Sequence, residues 1–208
     1  MAKRSQRNTK GKIIAAAWKL FYEQGYEDTT VEEIVEESGT SKGSFYHYFE
    51  GKDALLSSLS YLFDEKYQEL MEQMEPGIGC FEQLIYLNQE LFTMIENSIS
   101  LDLLARLYSS QLVTRGEKHL LDRNRYYYRI LKQIVKKGQE RGELRQDMSA
   151  NEITKIYALC ERALLYDWCI CNGEYSLKNY AGEMMPMFLD KIRVSKRQMK
   201  AASLEKLS

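Results

Sequence analysis

Residues 25–55 read GYEDTTVEEIVEESGTSKGSFYHYFEGKDAL, and the order of residue types in this stretch decides the fold. Thr30 is followed three residues later by Glu33, the spacing of a capping box that opens a helix. Along that helix Val31, Ile34 and Val35 turn inward, and Glu32, Glu33, Glu36 and Glu37 turn largely outward. Gly39 stands where a left-handed residue ends it. Ser41 caps a second helix, SKGSFYHYF, after a turn of about three residues, which is helix-turn-helix spacing. Phe45 and Phe49 lie four residues apart, share a face and anchor this second helix to a core. Its other side offers Ser41, Lys42, Gly43, Ser44 and His47, all small or hydrogen-bonding. Tyr46 and Tyr48 place phenols at the helix edge, within reach of a phosphate oxygen. Gly43 costs the helix roughly 1 kcal/mol relative to alanine. Such a cost fits a helix that something approaches closely, and duplex DNA is the simplest candidate.

Working outward, residues 8–24 form a first helix with Ile13, Ile14, Ala17, Leu20 and Phe21 on one face, ended by Gly25. The run TTVEEIVEESGTSKGSFYHYFEGKDAL, preceded by IIAAAWKLFYEQGY, resembles the DNA-binding domain of the TetR family of bacterial transcriptional repressors. The match covers about the first 60 residues, in order and without gaps. The resemblance implies an all-helical homodimer that binds double-stranded DNA at a pseudo-palindromic operator. It also implies a C-terminal domain that binds a small-molecule effector and thereby releases the DNA, and it makes Lys52 a phosphate contact. The candidate DNA-binding residues are Thr29, Thr30, Ser41, Lys42, Gly43, Ser44, Tyr46, His47 and Lys52. Lys3, Arg4, Arg7, Lys10 and Lys12 form a basic arm ahead of the first helix, suited to phosphates or a minor groove.

Composition agrees. The chain of 208 residues has two prolines and 12 glycines, which favours helices. Its net charge is −1, so any attraction to DNA comes from local charge distribution rather than from the total. No run reaches the ~18 apolar residues of a membrane span, and IIAAAW is too short for a signal peptide, so a cytoplasmic protein is expected. Cys80, Cys160, Cys169 and Cys171 make neither a CxxC nor paired zinc spacing, and no metal or other cofactor is expected. Neither histidine, His47 or His119, follows a glutamate at the spacing of a carboxylate-bridged metal pair. P-loop, GxGxxG and GxSxG motifs are absent, so the chain does not read as an enzyme.

The predicted class is all-α, with a three-helix helix-turn-helix domain over 8–68 and a helical bundle for ligand binding and dimerisation over 69–208. A single long helix is predicted from Lys52 to Met74, broken before Pro76-Gly77. Further helices follow near 79–97, 100–113 and 117–141, the last stopped by Gly142. Ser149 with Glu152 caps another through about Cys171, and a final helix starts near Ser176 and runs into a basic tail. Candidate effector contacts are Tyr61, Met71, Phe92, Leu104, Tyr108, Tyr127 and Trp168, with Arg106, Glu161, Arg162 and Asp167 orienting a polar ligand where they face inward. Of Tyr126, Tyr127 and Tyr128, at least one must face away from the bundle. Ile156, Tyr157, Cys160, Leu164, Tyr180, Met184, Met187 and Phe188 recur at helical spacing on the last two helices and are the candidate dimer interface. A competing reading is an architectural DNA-binding protein of the same fold with no effector.

Overall fold

The computed structural model describes residues 2–113 and 118–194, with side chains from Thr9 onward. Among the described residues all regular structure is helical, apart from one isolated bridge between Leu144 and Arg193. The helices are α1 (Ala2–Glu23), α2 (Val31–Ser38), α3 (Lys42–Tyr48), α4 (Lys52–Leu56), α5 (Leu59–Gln73), α6 (Cys80–Ser98), α7 (Leu101–Val113), α8 (Tyr126–Glu140), α9 (Ala150–Ile170) and α10 (Leu177–Leu189). They form two compact units, Met1–Leu62 with Ile99–Asp122, and Phe63–Ser98 with Arg123–Ser208. The division is therefore not linear in sequence. Residues 99–122 belong with the N-terminal helices, and Pro76-Gly77 lies inside the second unit.

In the first unit the local signals act where the residue types place them. Thr30 accepts the Glu33 amide, and Glu33 returns to the Thr30 amide at 2.7 Å. Gly39 is left-handed at φ 61. Ser41 caps α3 through the Ser44 amide at 3.1 Å. The core gathers Ile13, Ala17 and Phe21 of α1 with Ile34, Phe45, Phe49, Leu55 and Leu59, and α7 adds Leu103, Leu104 and Leu107.

The expected rod from Lys52 to Met74 is broken after Leu56. Ser57, Ser58 and Ser60 each donate a hydroxyl hydrogen to the carbonyl three residues earlier, a side-chain bond that competes with helical pairing. Ser58 is also held from α1, whose Trp18 indole donates to its hydroxyl at 2.8 Å.

The second unit is built on α6, α8, α9 and α10, joined by the later part of α5. Gly138 lets α8 approach closely, since a Cβ there would stand 2.7 Å from Leu144 and 2.9 Å from the Cβ of Cys80. The helix expected from residue 117 starts at Tyr126. Asp64 on α5 sets that start: it accepts Arg125 at 2.8 and 3.2 Å and the Tyr127 amide at 3.3 Å. Gly142 ends the helix in the left-handed region, and Ser149 with Glu152 caps α9. The basic tail expected at 195–208 and the side chains of Lys3, Arg4 and Arg7 lie outside the described residues.

Candidate functional site

Burying Phe45 and Phe49 turns the opposite side of α3 to solvent. Lys42, Gly43, Tyr46 and His47 are exposed there, and the Tyr46 ring is 55% accessible. The Ser44 hydroxyl stands 3.0 Å from that of Ser41, so both belong to the cap as well as to the surface. Glu32 on α2 pairs with Lys42, which raises the lysine pKa and lowers the glutamate one, the hydrogen bond between them being the leading cause of each shift. A phosphate reaching Lys42 must therefore compete with a carboxylate.

Gly43 has no packing reason to be glycine. A Cβ there would meet only the Ser41 hydroxyl, at an ordinary 3.8 Å. Gly43→Ala is accordingly expected to stabilise the fold by roughly 0.5–1 kcal/mol while weakening DNA binding by about tenfold or more, about 1.4 kcal/mol. A thermal melt and a fluorescence-anisotropy titration on the same variant check both signs. Unchanged DNA affinity would remove the argument that this face is closely approached.

Two expected contacts are placed otherwise. Thr29 is buried, with its hydroxyl donating to the Gly25 carbonyl at 2.7 Å, so its side chain shapes the α1–α2 corner rather than facing outward. The Lys52 ammonium donates to the carbonyls of Tyr26, Glu27 and Thr29 at 2.6, 3.2 and 2.9 Å and lies over the Tyr26 ring. All three of its hydrogens are thus engaged with that corner. Arg106 of α7 reaches the same corner, pairing with Glu27 at 2.5 Å and with Asp102 at 2.8 Å. The Tyr26 hydroxyl donates to Asp53. Beside this corner is a cleft of about 830 Å³ lined by Tyr48, Asp53, Tyr61 and Arg106 among others.

The interior of the second unit holds a polar centre. Glu161 on α9, 4% exposed, accepts Tyr67 at 3.0 Å and Asn88 at 3.0 Å on Oε1, and Tyr127 at 2.6 Å and Tyr67 at 3.3 Å on Oε2. Tyr157, one turn earlier, donates to the Leu84 carbonyl at 2.9 Å. Burial raises the phenol pKa of Tyr67, Tyr127 and Tyr157 well above its usual range.

Residues 13–59 match the family described as bacterial regulatory proteins, tetR family. Those residues are a tetR-family domain. YuxN, an HTH-type transcriptional regulator of Bacillus subtilis, is 47% identical over 66 residues, 31% of this chain and 23% of that protein, so that likeness spans about a quarter of the relative. The fatty acid metabolism regulator protein of Bacillus subtilis is 23% identical over 184 residues, covering 86% of this chain and 93% of that one. A solved structure of similar fold is Thermus thermophilus FadR, a TetR-family transcriptional repressor in complex with lauroyl-CoA. It has 24% identity and a TM-score of 0.67, covering 89% of this chain and 96% of that chain.

The expected effector contacts do not share one unit. Tyr61, Leu104 and Tyr108 belong to the first and Met71, Phe92, Tyr127 and Trp168 to the second. Phe92 and Leu104 are fully buried core, and Tyr61 is exposed. Trp168 is buried with its indole donating to the Tyr175 carbonyl at 2.9 Å. Of the four polar candidates only Glu161 is buried, since Arg106 and Arg162 are half-buried and Asp167 is exposed. Tyr127 alone of the tyrosine triplet is buried.

The expected dimer face also divides. Tyr157 and Leu164 are subunit core, whereas Ile156, Cys160 and Met184 are half-buried and Tyr180, Met187 and Phe188 are exposed. The outward apolar row of α9 is instead Leu159, Ala163, Tyr166 and Ile170, at spacings of four, three and four. Helical spacing does not reveal which of two apolar rows on one helix faces the core. Among the described residues no group of three or more His, Cys, Asp or Glu is placed to hold a metal, and no helix is long and apolar enough to cross a membrane.

Proposed function

We propose that the protein is a homodimeric, cytoplasmic repressor, held on a pseudo-palindromic operator by α3 and released when a small-molecule effector enters the second unit. The observation that carries this reading is the division of α3: two phenylalanines buried, and Lys42, Gly43, Tyr46 and His47 presented outward with a glycine that packing does not require. Lys42 and Tyr46 supply phosphate contacts, Ser44 and His47 face base edges, and Thr30 stands at the start of α2. Lys52 and Thr29 position the α1–α2 corner from behind, and any phosphate contact by Lys52 first requires its release from three carbonyls.

The outward row Leu159, Ala163, Tyr166 and Ile170 of α9, with Tyr180, Met187 and Phe188 of α10, forms the dimer contact. A two-fold dimer sets its reading helices about 34–36 Å apart for successive major grooves. Release is a population shift, so the effector must bind the DNA-incompetent state more tightly. α5 is the element suited to carry it. It runs from the first unit into the second and bears Tyr67 of the Glu161 centre.

Selection of genomic DNA fragments by the purified protein at physiological salt, beside a Lys42/Tyr46/His47 triple-alanine variant, tests the reading. Enrichment of a short palindrome near promoters that the variant loses supports it. Weak, scattered enrichment shared by both proteins would favour the architectural alternative.

A further inference from the structure

The Glu161 centre lacks two things. Its hydrogen-bond partners, Tyr67, Tyr127 and Asn88, are all neutral donors, and among the described residues no ammonium, guanidinium or imidazole forms an ion pair with the carboxylate. Among the described residues the other buried charged side chain, Arg125, is taken by Asp64. A buried ion without a counter-charge is costly, so its retention calls for a reason. The second lack is independent of the first. Asn88 is fully buried and its Nδ2 donates to Glu161, yet its Oδ1 accepts nothing. Buried amide oxygens are rarely left this way. With Glu161 ionised the centre is therefore short of one positive charge, and beside it Asn88 Oδ1 is short of one N–H or O–H donor. Burial, the leading cause, pushes the Glu161 carboxyl up from its usual range, against the pull of the Tyr127 and Asn88 donors.

A protonated amine supplies both missing elements. We propose that the Glu161 centre receives the ammonium group of an organic amine, with its N–H hydrogens shared between Asn88 Oδ1 and the Glu161 carboxylate and its charge against the Tyr67 and Tyr127 rings. Those rings meet at 5.1 Å between centroids, and tyrosine faces attract cations within about 6 Å. The amine replaces this ring-to-ring contact, which joins α5 to α8, and so acts on the helix that enters the first unit. The inference rests on reading the second unit as the effector domain. A neutral alkyl thioester supplies neither the charge nor the donor.

The test uses the full-length protein, Glu161→Gln and Tyr67→Phe, with butylamine, hexylamine and phenethylamine each paired with the alcohol of the same skeleton, and with lauroyl-CoA. Binding is read by calorimetry, stability by thermal melting at neutral pH, and DNA release by anisotropy on the selected operator. In the wild type at least one amine is expected to bind roughly tenfold tighter than its alcohol, a preference of about one factor of ten. Glu161→Gln is expected to erase that preference and, having lost an uncompensated buried charge, to melt about 2–4 °C or more above the wild type. Tyr67→Phe keeps the ring and is expected to retain most of the preference. Three results would each overturn the proposal: no amine outbinding its alcohol, Glu161→Gln keeping the preference, or Glu161→Gln melting below the wild type. Release by lauroyl-CoA with the amines inert would leave effector-controlled DNA binding standing and remove this inference alone. Amine binding with no change in operator affinity would keep the site and remove its regulatory reading.

Discussion

Arg125→Met is expected to lower the unfolding free energy by about 3–5 kcal/mol, the cost of breaking a buried pair from one side. The two side chains are 7% and 13% exposed, and the guanidinium meets Asp64 through two nitrogens, Nη2 at 2.8 Å and Nε at 3.2 Å. Methionine preserves most of the apolar stem but leaves the Asp64 carboxylate in the second unit with only neutral hydrogen-bond donors. The loss also reaches α8, because Asp64 fixes the first turn of that helix through the Tyr127 amide at 3.3 Å. Urea denaturation of Arg125→Met, Asp64→Asn and the double variant separates pair from packing. The double variant is expected to recover a good part of the loss, since removing both partners spares the orphaned charge. A single-variant loss below about 1 kcal/mol, the range of a solvated surface pair, would show that this ion pair does not behave as a buried one.

Phe45→Ala is expected to cost about 3–5 kcal/mol as well, and to abolish DNA binding. Phe45 has no exposed surface and packs edge-on to Tyr46 at 5.3 Å and against Phe49 at 5.7 Å. α3 spans seven residues, too few for independent helical stability, so its position depends on this buried ring. Phe45→Leu, which keeps most of the volume, is expected to cost less than about 1.5 kcal/mol and to retain operator binding. Chemical denaturation and anisotropy on both variants check the pair. Wild-type DNA affinity in Phe45→Ala would mean that α3 is not held, or not used, in this way.

The parts of the structure that are legible in the sequence are those decided within a few residues. Thr30 with Glu33, Gly39, Ser41, and Phe45 with Phe49 each act over four residues or fewer, so the types and their spacing are enough to place α2, the turn and α3. The break after Leu56 is a different matter. Serine is not a strong breaker by itself, and Ser58 is fixed by Trp18, 40 residues earlier. The start of α8 likewise depends on Asp64, 61 residues before Arg125. Glu161 was visible as one polar residue among several on its helix. That it alone is buried, with Tyr67, Asn88 and Tyr127 around it, depends on contacts spanning 34 to 94 residues. The two apolar rows of α9 show a further limit: periodicity finds a row but does not say what lies opposite it.

The break between α4 and α5 contains no proline, and that determines what kind of joint it is. A proline at this point would forbid a straight helix by clash and by the missing amide. Here every residue from Ser57 to Ser60 retains an amide hydrogen, and the turn is made by its own backbone bonds, the Ser58 amide to the Leu55 carbonyl at 2.9 Å and the Ser60 amide to the Ser57 carbonyl at 3.2 Å, with the Trp18 indole on the Ser58 hydroxyl. Straightening it exchanges those three-residue bonds for four-residue ones and releases the indole. The result would be one shaft from Lys52 to Gln73, about 33 Å long at 1.5 Å per residue. The joint is thus one that conditions, and not covalent structure, can remove, and the helix content of a variant with the three serines exchanged for alanine measures how firmly it is held.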